Sequence, residues 1–179
     1  MACGGTAQVF VEVHGRLVQL VLVGAGHVNL QLAKMANEMF GFACIVVDDR
    51  ADWANERNYP NATVLNLLPA EAFEKICWTE DTIVVIATRG HEHDYVALRA
   101  AVERLGCYIG VVASKRKAQE LINGLVKDGV NMEEIRLRLH TPIGLDLGGK
   151  SPAEIALSIM AEIQMVRHNA TGKPMRVGS

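Results

Sequence analysis

The sequence predicts an α/β fold, a doubly wound parallel sheet in one domain, and three observations carry that expectation. Nearly continuous apolar runs alternate with segments of helical periodicity. Strands buried on both faces and joined by crossover helices produce that pattern. A Gly24-Ala-Gly26 turn stands between the first apolar run and the first helical segment. An acid, Asp48, closes the second apolar run. Glycines and acid together fit a Rossmann-like arrangement.

Each element follows in order. Leu17–Val23 reads as a buried strand. Val28, Leu32, Met35, Ala36 and Met39 then recur at helical spacing, with Gly41 as the stop. Ala43–Val47 is the second strand, Ala62–Leu67 a weaker third, and Pro69–Ile76 a short helix. Thr82–Thr88 is the fourth strand, followed by a helix over His91–Arg104. Cys107–Val112 is the fifth strand. The helix behind it starts near Ser114 and buries Ala118, Leu121, Ile122 and Leu125. Residues 130–150 read as irregular, rich in Gly and Pro. The last helix opens on Ser151-Pro-Ala-Glu154, a capping box with proline in the first turn. Its buried stripe is Ile155, Ala156, Ile159, Met160 and Ile163.

These elements place a Rossmann-like domain over residues 17–169, a short N-terminal extension over 1–16 and a flexible tail over 170–179. Gln8–His14 alternates like a strand ahead of the first Rossmann strand. An unpaired edge tends to be covered, so this segment predicts a homodimer.

Composition excludes several classes. Of 179 residues, half are hydrophobic, enough for one core, and the net charge of -2 draws the chain neither to nucleic acid nor to anionic membrane. No apolar run reaches the roughly 18 residues that span a bilayer, and no signal peptide is read at the start. A cytoplasmic protein is the expectation. Cys3, Cys44, Cys77 and Cys107 show no C-x-x-C spacing, so neither zinc nor a redox pair is indicated.

Five clusters carry chemistry. In the Gly24–Asn29 loop the first glycine permits the tight turn. Gly26 lets backbone approach a pyrophosphate, and the helix start at His27 offers N–H groups and dipole to it. Asn29 fills the slot of the usual third glycine, which predicts a slightly wider helix-to-strand spacing. Asp48 would accept ribose hydroxyls and repel a 2′-phosphate, which favours NAD over NADP, while Asp49 reads as a solvated turn. His91 and His93 flank an acid after the fourth strand and suit proton movement or a helix cap better than metal. Ser114, Lys115, Arg116 and Lys117 put cations at a helix start, against the macrodipole. A bound phosphate would relieve that conflict, with Ser114, Lys115 and Arg116 as a second anion contact. Pro142-Ile-Gly-Leu-Asp146 adds glycines that suggest close approach to a ligand or a neighbour, with Asp146 either functional or a turn former. No nucleophile, base and acid set is visible, so a binding site is read and no independent turnover.

Together these motifs resemble the xanthine dehydrogenase accessory protein family of the XdhC/CoxI type. The resemblance spans about residues 20–168. It lies in Val23-Gly-Ala-Gly-His-Val28, Val46-Val-Asp-Asp-Arg50, Thr88-Arg-Gly-His-Glu-His-Asp94, Tyr108-Ile-Gly110 with Ser114-Lys-Arg-Lys117, and Pro142-Ile-Gly-Leu-Asp146 with Ser151-Pro-Ala-Glu-Ile-Ala156. It implies the C-terminal Rossmann domain of a maturation factor. Such a factor binds the molybdenum cofactor, protects it during sulfuration and delivers it to a molybdenum hydroxylase apoenzyme. A cysteine desulfurase would be the sulfur-supplying partner, and some members are associated with selenium-dependent hydroxylases. Cys3 matches a family cysteine and would act as a sulfur or cofactor ligand. The sequence departs from the family at Asn29 and in lacking most of the usual N-terminal domain. An NAD-dependent oxidoreductase and a nucleotide-sensing domain remain open beside this reading. Against the oxidoreductase, no substrate domain or catalytic Lys-Tyr pair is seen.

Overall fold

A computed structural model describes residues 18–176. Among the described residues six strands form one parallel sheet: β1 (Gln19–Val23), β2 (Ala43–Val47), β3 (Ala62–Leu65), β4 (Thr82–Ile86), β5 (Tyr108–Val111) and β6 (Leu139–His140). Their spatial order is β3-β2-β1-β4-β5-β6. The chain reverses its direction of winding between β1 and β4, and ligands in such sheets bind at the carboxyl ends beside that switch point.

Alternation along each strand builds two cores. Leu20, Leu22, Cys44, Val46, Ile83, Val85 and Tyr108 face α1 (His27–Phe40) and α6 (Pro152–Arg167). Val21, Val23, Val47, Val84, Ile86, Ile109 and Val111 face the other layer. That layer is α2 (Pro69–Phe73), α3 (His91–Ala101), α4 (Lys115–Lys127) and α5 (Met132–Ile135). Both faces are covered, which explains why β4 is apolar at nearly every position.

The helix ends follow their sequence signals. Gly41 adopts the left-handed conformation after α1, and its N–H bonds Ala36 O. Ser151 and Glu154 form the expected capping box on α6. Two details differ from expectation. Residues 130–150 hold α5 and β6, the sixth strand of the sheet. Ile122 and Ile155 are half-buried, at the margins of their helices' apolar stripes. The predicted strand Gln8–His14 and Cys3 lie outside the described residues. Among the described residues no helix is long and apolar enough to cross a membrane.

Candidate functional site

The two glycines of the first loop have different physical reasons. Gly24 sits at φ 95°, and a Cβ there would stand 2.3 Å from Ala87 O and 2.8 Å from Ala87 C. The loop is pressed between its neighbours: Gly24 N donates to Val47 O (2.8 Å), and Ala87 N to Val23 O (2.9 Å). Gly24 is therefore required by the sheet itself. Gly26 is at φ -76° and ψ 179°, a conformation open to any residue, and a Cβ there would meet nothing within 4 Å. No packing explains a glycine at this point. It caps α1, and no side chain bonds the first-turn N–H groups. The result is an open, positively polarised cradle.

Asn29 gives the loop its rigidity. It is fully buried, and its Nδ2 donates to Val23 O (3.1 Å) and Gly24 O (2.6 Å). Its side chain ties the start of α1 to the end of β1.

Asp48 is buried beneath the loop. One carboxylate oxygen accepts from Ala25 N (2.7 Å) and from Arg50 Nη2 (2.6 Å). The other accepts from Arg50 N (3.0 Å) and Arg50 Nε (2.8 Å). Burial alone would raise this carboxyl, but the Arg50 side chain and the two backbone N–H groups outweigh it and bring it to about 2. Arg50 also lies over the Trp53 ring at 5.1 Å, and the exposed His27 meets the same ring edge-on at 5.4 Å.

On the β4 side, Asp94 is 1% exposed. It accepts from Thr88 N (2.9 Å) and Thr88 Oγ1 (2.6 Å), and it pairs with Lys117 of α4. Beside it, Arg89 forms a two-bonded pair with Asp49 (3.0 and 3.2 Å) and donates from Nε to His93 Nε2 (3.2 Å).

Between these two sides lies an open cleft, about 310 Å³ when the solvent space at its mouth is counted. Gly24, Asp48, Asp49, Arg50, Arg89 and His93 are among the groups that line it, with Leu68 and Pro69 as an apolar wall. Open space at the carboxyl ends of β1, β2 and β4, next to an uncapped helix start, suits a phosphate-bearing ligand with a planar or sugar-like portion.

The profile of the XdhC Rossmann domain matches residues 20–163. The chain belongs to the XdhC Rossmann-domain family. It is 40% identical over 174 residues to the uncharacterized protein YqeB of Escherichia coli (strain K12), covering 95% of this chain and 31% of that protein. It is 27% identical over 163 residues to a probable xanthine dehydrogenase component of Bacillus subtilis (strain 168), covering 90% and 47%. The crystal structure of a xanthine dehydrogenase from Bacillus halodurans superposes with a TM-score of 0.72 at 25% identity, over 87% of this chain and 44% of that one. The chain thus spans less than half the length of each of these relatives, and it is related to proteins of the xanthine dehydrogenase system.

Within this XdhC domain the expected site residues divide. Gly24 and Asp48 line the cleft, with Gly26 and His27 at the helix start beside it. His91 does not line it; its Nε2 lies 3.9 Å from Glu120 of α4, and His93 takes the cleft position instead. Ser114 caps α4 by accepting from Lys117 N, Arg116 pairs with Glu120 (2.9 Å), and Lys115 is exposed. None of the three lines the cleft. Asp94 and Glu120 relieve the charge conflict within the chain at Lys117 and Arg116. Asp49, read as a solvated turn, is exposed and also pairs with Arg89. Sequence reasoning does not single out Arg89 or Arg50: Arg89 meets an acid 40 positions earlier in the chain, and Arg50 follows two acids with no periodic signal of its own.

The Pro142–Asp146 motif has a neighbour rather than the cleft to explain its glycine. A Cβ on Gly144 would stand 2.5 Å from Ser158 Oγ on α6. Gly144 N donates to Glu162 (2.8 Å), which also accepts from Tyr108 and faces His140 Nδ1 at 3.5 Å. Burial would raise the Glu162 carboxyl, yet the bonds from His140, Tyr108 and Gly144 hold it below its ordinary value. Asp146 lies at the edge of this motif and is not among the cleft residues.

Proposed function

We propose that this chain is the Rossmann module of a molybdenum-hydroxylase accessory protein, holding the molybdenum cofactor for sulfuration and insertion into the apoenzyme. The observation that carries the reading is Gly26: a glycine without packing or conformational cause, at an uncapped helix start, beside a cleft. A phosphate seated there would explain it. The molybdenum cofactor carries a phosphate, within a dinucleotide in some forms, and the donor set fits that end of the molecule. Gly26 and the first-turn N–H groups of α1 would hold the phosphate, and the cleft walls would hold the organic portion. The metal chemistry belongs to the cofactor. This domain's share is to bind, orient and shield it. Sulfur transfer would involve Cys3 and a cysteine desulfurase, and a homodimer would form through Gln8–His14.

The test is the ligand itself. The protein is produced in a host that makes the cofactor, purified, denatured, and the released small molecules are identified. Recovery of a pterin phosphate or its nucleotide is the expected result. Protein that neither carries nor binds the cofactor, in the full-length context as well, overturns the reading.

A second reading, a nucleotide-binding sensor or oxidoreductase domain, draws on the same cleft. Its position at the ends of β1, β2 and β4 is where Rossmann folds seat the base and ribose of a dinucleotide.

A further inference from the structure

We infer that the β2 side of the cleft is built for a nucleotide whose ribose carries a phosphomonoester, with Arg50 as the residue that selects it. The inference rests on the reading that the glycine loop takes a nucleotide, and it reverses the preference that an acid at this position implies in the sequence.

An acid at the end of β2 recognises a ribose by offering free acceptors to the 2′ and 3′ hydroxyls. Asp48 has none to offer. A carboxylate accepts about four hydrogen bonds, and here Ala25 N, Arg50 N, Arg50 Nε and Arg50 Nη2 supply four donors. Its side chain is 5% exposed, against 30% for Arg50. What the ligand meets at this edge is the guanidinium. Arginine has five N–H donors; two go to Asp48, which leaves three. The guanidinium carbon lies over the Trp53 ring at 5.1 Å, and the two bonds to Asp48 orient the group.

The other acid of the rim is engaged as well. Asp49 is held by both terminal nitrogens of Arg89, and His93 accepts from Arg89 Nε. Neither carboxylate that lines the cleft is unpaired, so no bare negative charge stands against a phosphate dianion. A fork of donors fixed in a plane suits a phosphate. A ribose diol, which needs an acceptor for each hydroxyl proton, finds none on these two side chains.

Calorimetric titration of the purified chain with NADP, NAD, 2′,5′-ADP and 5′-AMP tests this directly. NADP is expected to bind at least threefold more tightly than NAD, and 2′,5′-ADP more tightly than 5′-AMP. Arg50→Ala uncovers Asp48, so it should weaken NADP about tenfold or more and leave NAD equal or tighter, inverting the preference. Arg50→Lys keeps the charge and loses the fork; it should weaken NADP severalfold with NAD unchanged, and it serves where the alanine variant does not fold. Wild-type protein that binds NAD as tightly as NADP, or more tightly, overturns the inference while leaving the glycine loop as a nucleotide site. So do Arg50 variants that weaken both dinucleotides equally, since that marks a purely structural arginine. If the wild type binds none of the four probes, the nucleotide reading has failed and the inference falls with it.

Discussion

Replacing Gly26 separates a ligand-made glycine from a fold-made one, with Gly24 as the internal control. At Gly26 the backbone conformation is available to any residue and the added atoms meet nothing. Gly26→Ala and Gly26→Val should therefore change stability by less than about 1 kcal/mol. The reduced freedom of the unfolded chain offsets the slightly poorer helix cap. For a domain of this size that is a Tm shift of no more than about 4 °C. Gly24→Ala differs in kind. It forces a left-handed residue, costing about 1–2 kcal/mol, and places a methyl 2.3 Å from Ala87 O, which lies in backbone just past the end of β4. A total above about 3 kcal/mol is expected, a large part of the roughly 5–15 kcal/mol that holds a domain together. Binding should show the reverse order among folded variants. A valine at 26 fills the space a phosphate needs to reach the first-turn N–H groups. Two charge-assisted bonds lost at about 1.5–3 kcal/mol each give at least a hundredfold weaker binding. Thermal melts paired with titration of the molybdenum cofactor or a dinucleotide read both quantities. Gly26→Val that stays folded and binds as the wild type does would refute the argument, because the loop would then not be the phosphate site.

Four other outcomes follow from the same geometry. The Asp48 carboxyl is lowered on folding, so its contribution is full above its unfolded value of about 3.8 and is lost as pH falls through about 2. Acid titration of stability should show Asp48 contributing roughly 1–2 kcal/mol of decline across that window, screened by the partly open rim, and Asp48→Asn should remove that share while leaving the decline due to Glu162. Lys117→Met leaves Asp94 buried without its cation and should cost about 3–5 kcal/mol, read by denaturant unfolding; a loss under about 1 kcal/mol would show that the pair is not formed. Glu162→Leu strands Tyr108, His140 and Gly144 N and should cost about 2–4 kcal/mol, with no specific effect on ligand affinity in whatever remains folded. Replacing both Lys115 and Arg116 with Ala should change affinity by less than about threefold at about 0.15 M salt, since neither lines the cleft and exposed charges are screened over about 8 Å; a tenfold loss would restore the α4 start as an anion site.

The sequence made the first half of the sheet legible and left much of the rim hidden, for reasons that differ by residue. β1, the glycine turn, α1 and β2 announce themselves through local signals: period, breaker and cap all act within a few positions of one another. α5 and β6 span only four and two residues, too short for any periodicity, so the Pro/Gly-rich stretch read as irregular. Glu162 sits one position before Ile163 in a helix whose apolar stripe was plain, and a glutamate there reads as solvent-facing. Only the fold shows that Tyr108 and His140 meet it. The pairs Arg89–Asp49 and Lys117–Asp94 join residues 40 and 23 positions apart, beyond the reach of any local pattern. The cations at the start of α4 were a true signal of conflict with local rules. The partner that resolves the conflict at Lys117 is an acid on the neighbouring helix.

The two walls of the cleft are secured in the same way, and this bears on how the site would work. After β2, a buried acid grips a backbone N–H of the adjoining loop and takes a cation from its own side: Asp48, Ala25 N and Arg50. After β4, a second buried acid does likewise: Asp94, Thr88 N and Lys117. Both loops that face the ligand are thereby fixed before anything binds, so little ordering cost remains to be met at binding. The Arg89–Asp49 bridge across the rim is built otherwise. Each of its side chains is 40% exposed, and a pair of that kind is worth no more than about 1 kcal/mol. It therefore adds little to the rigidity of the walls, which the two buried acids supply. A rigid cradle with so weak a link across its rim suits the role proposed above, taking up a cofactor and giving it away, because neither step demands that the walls themselves move.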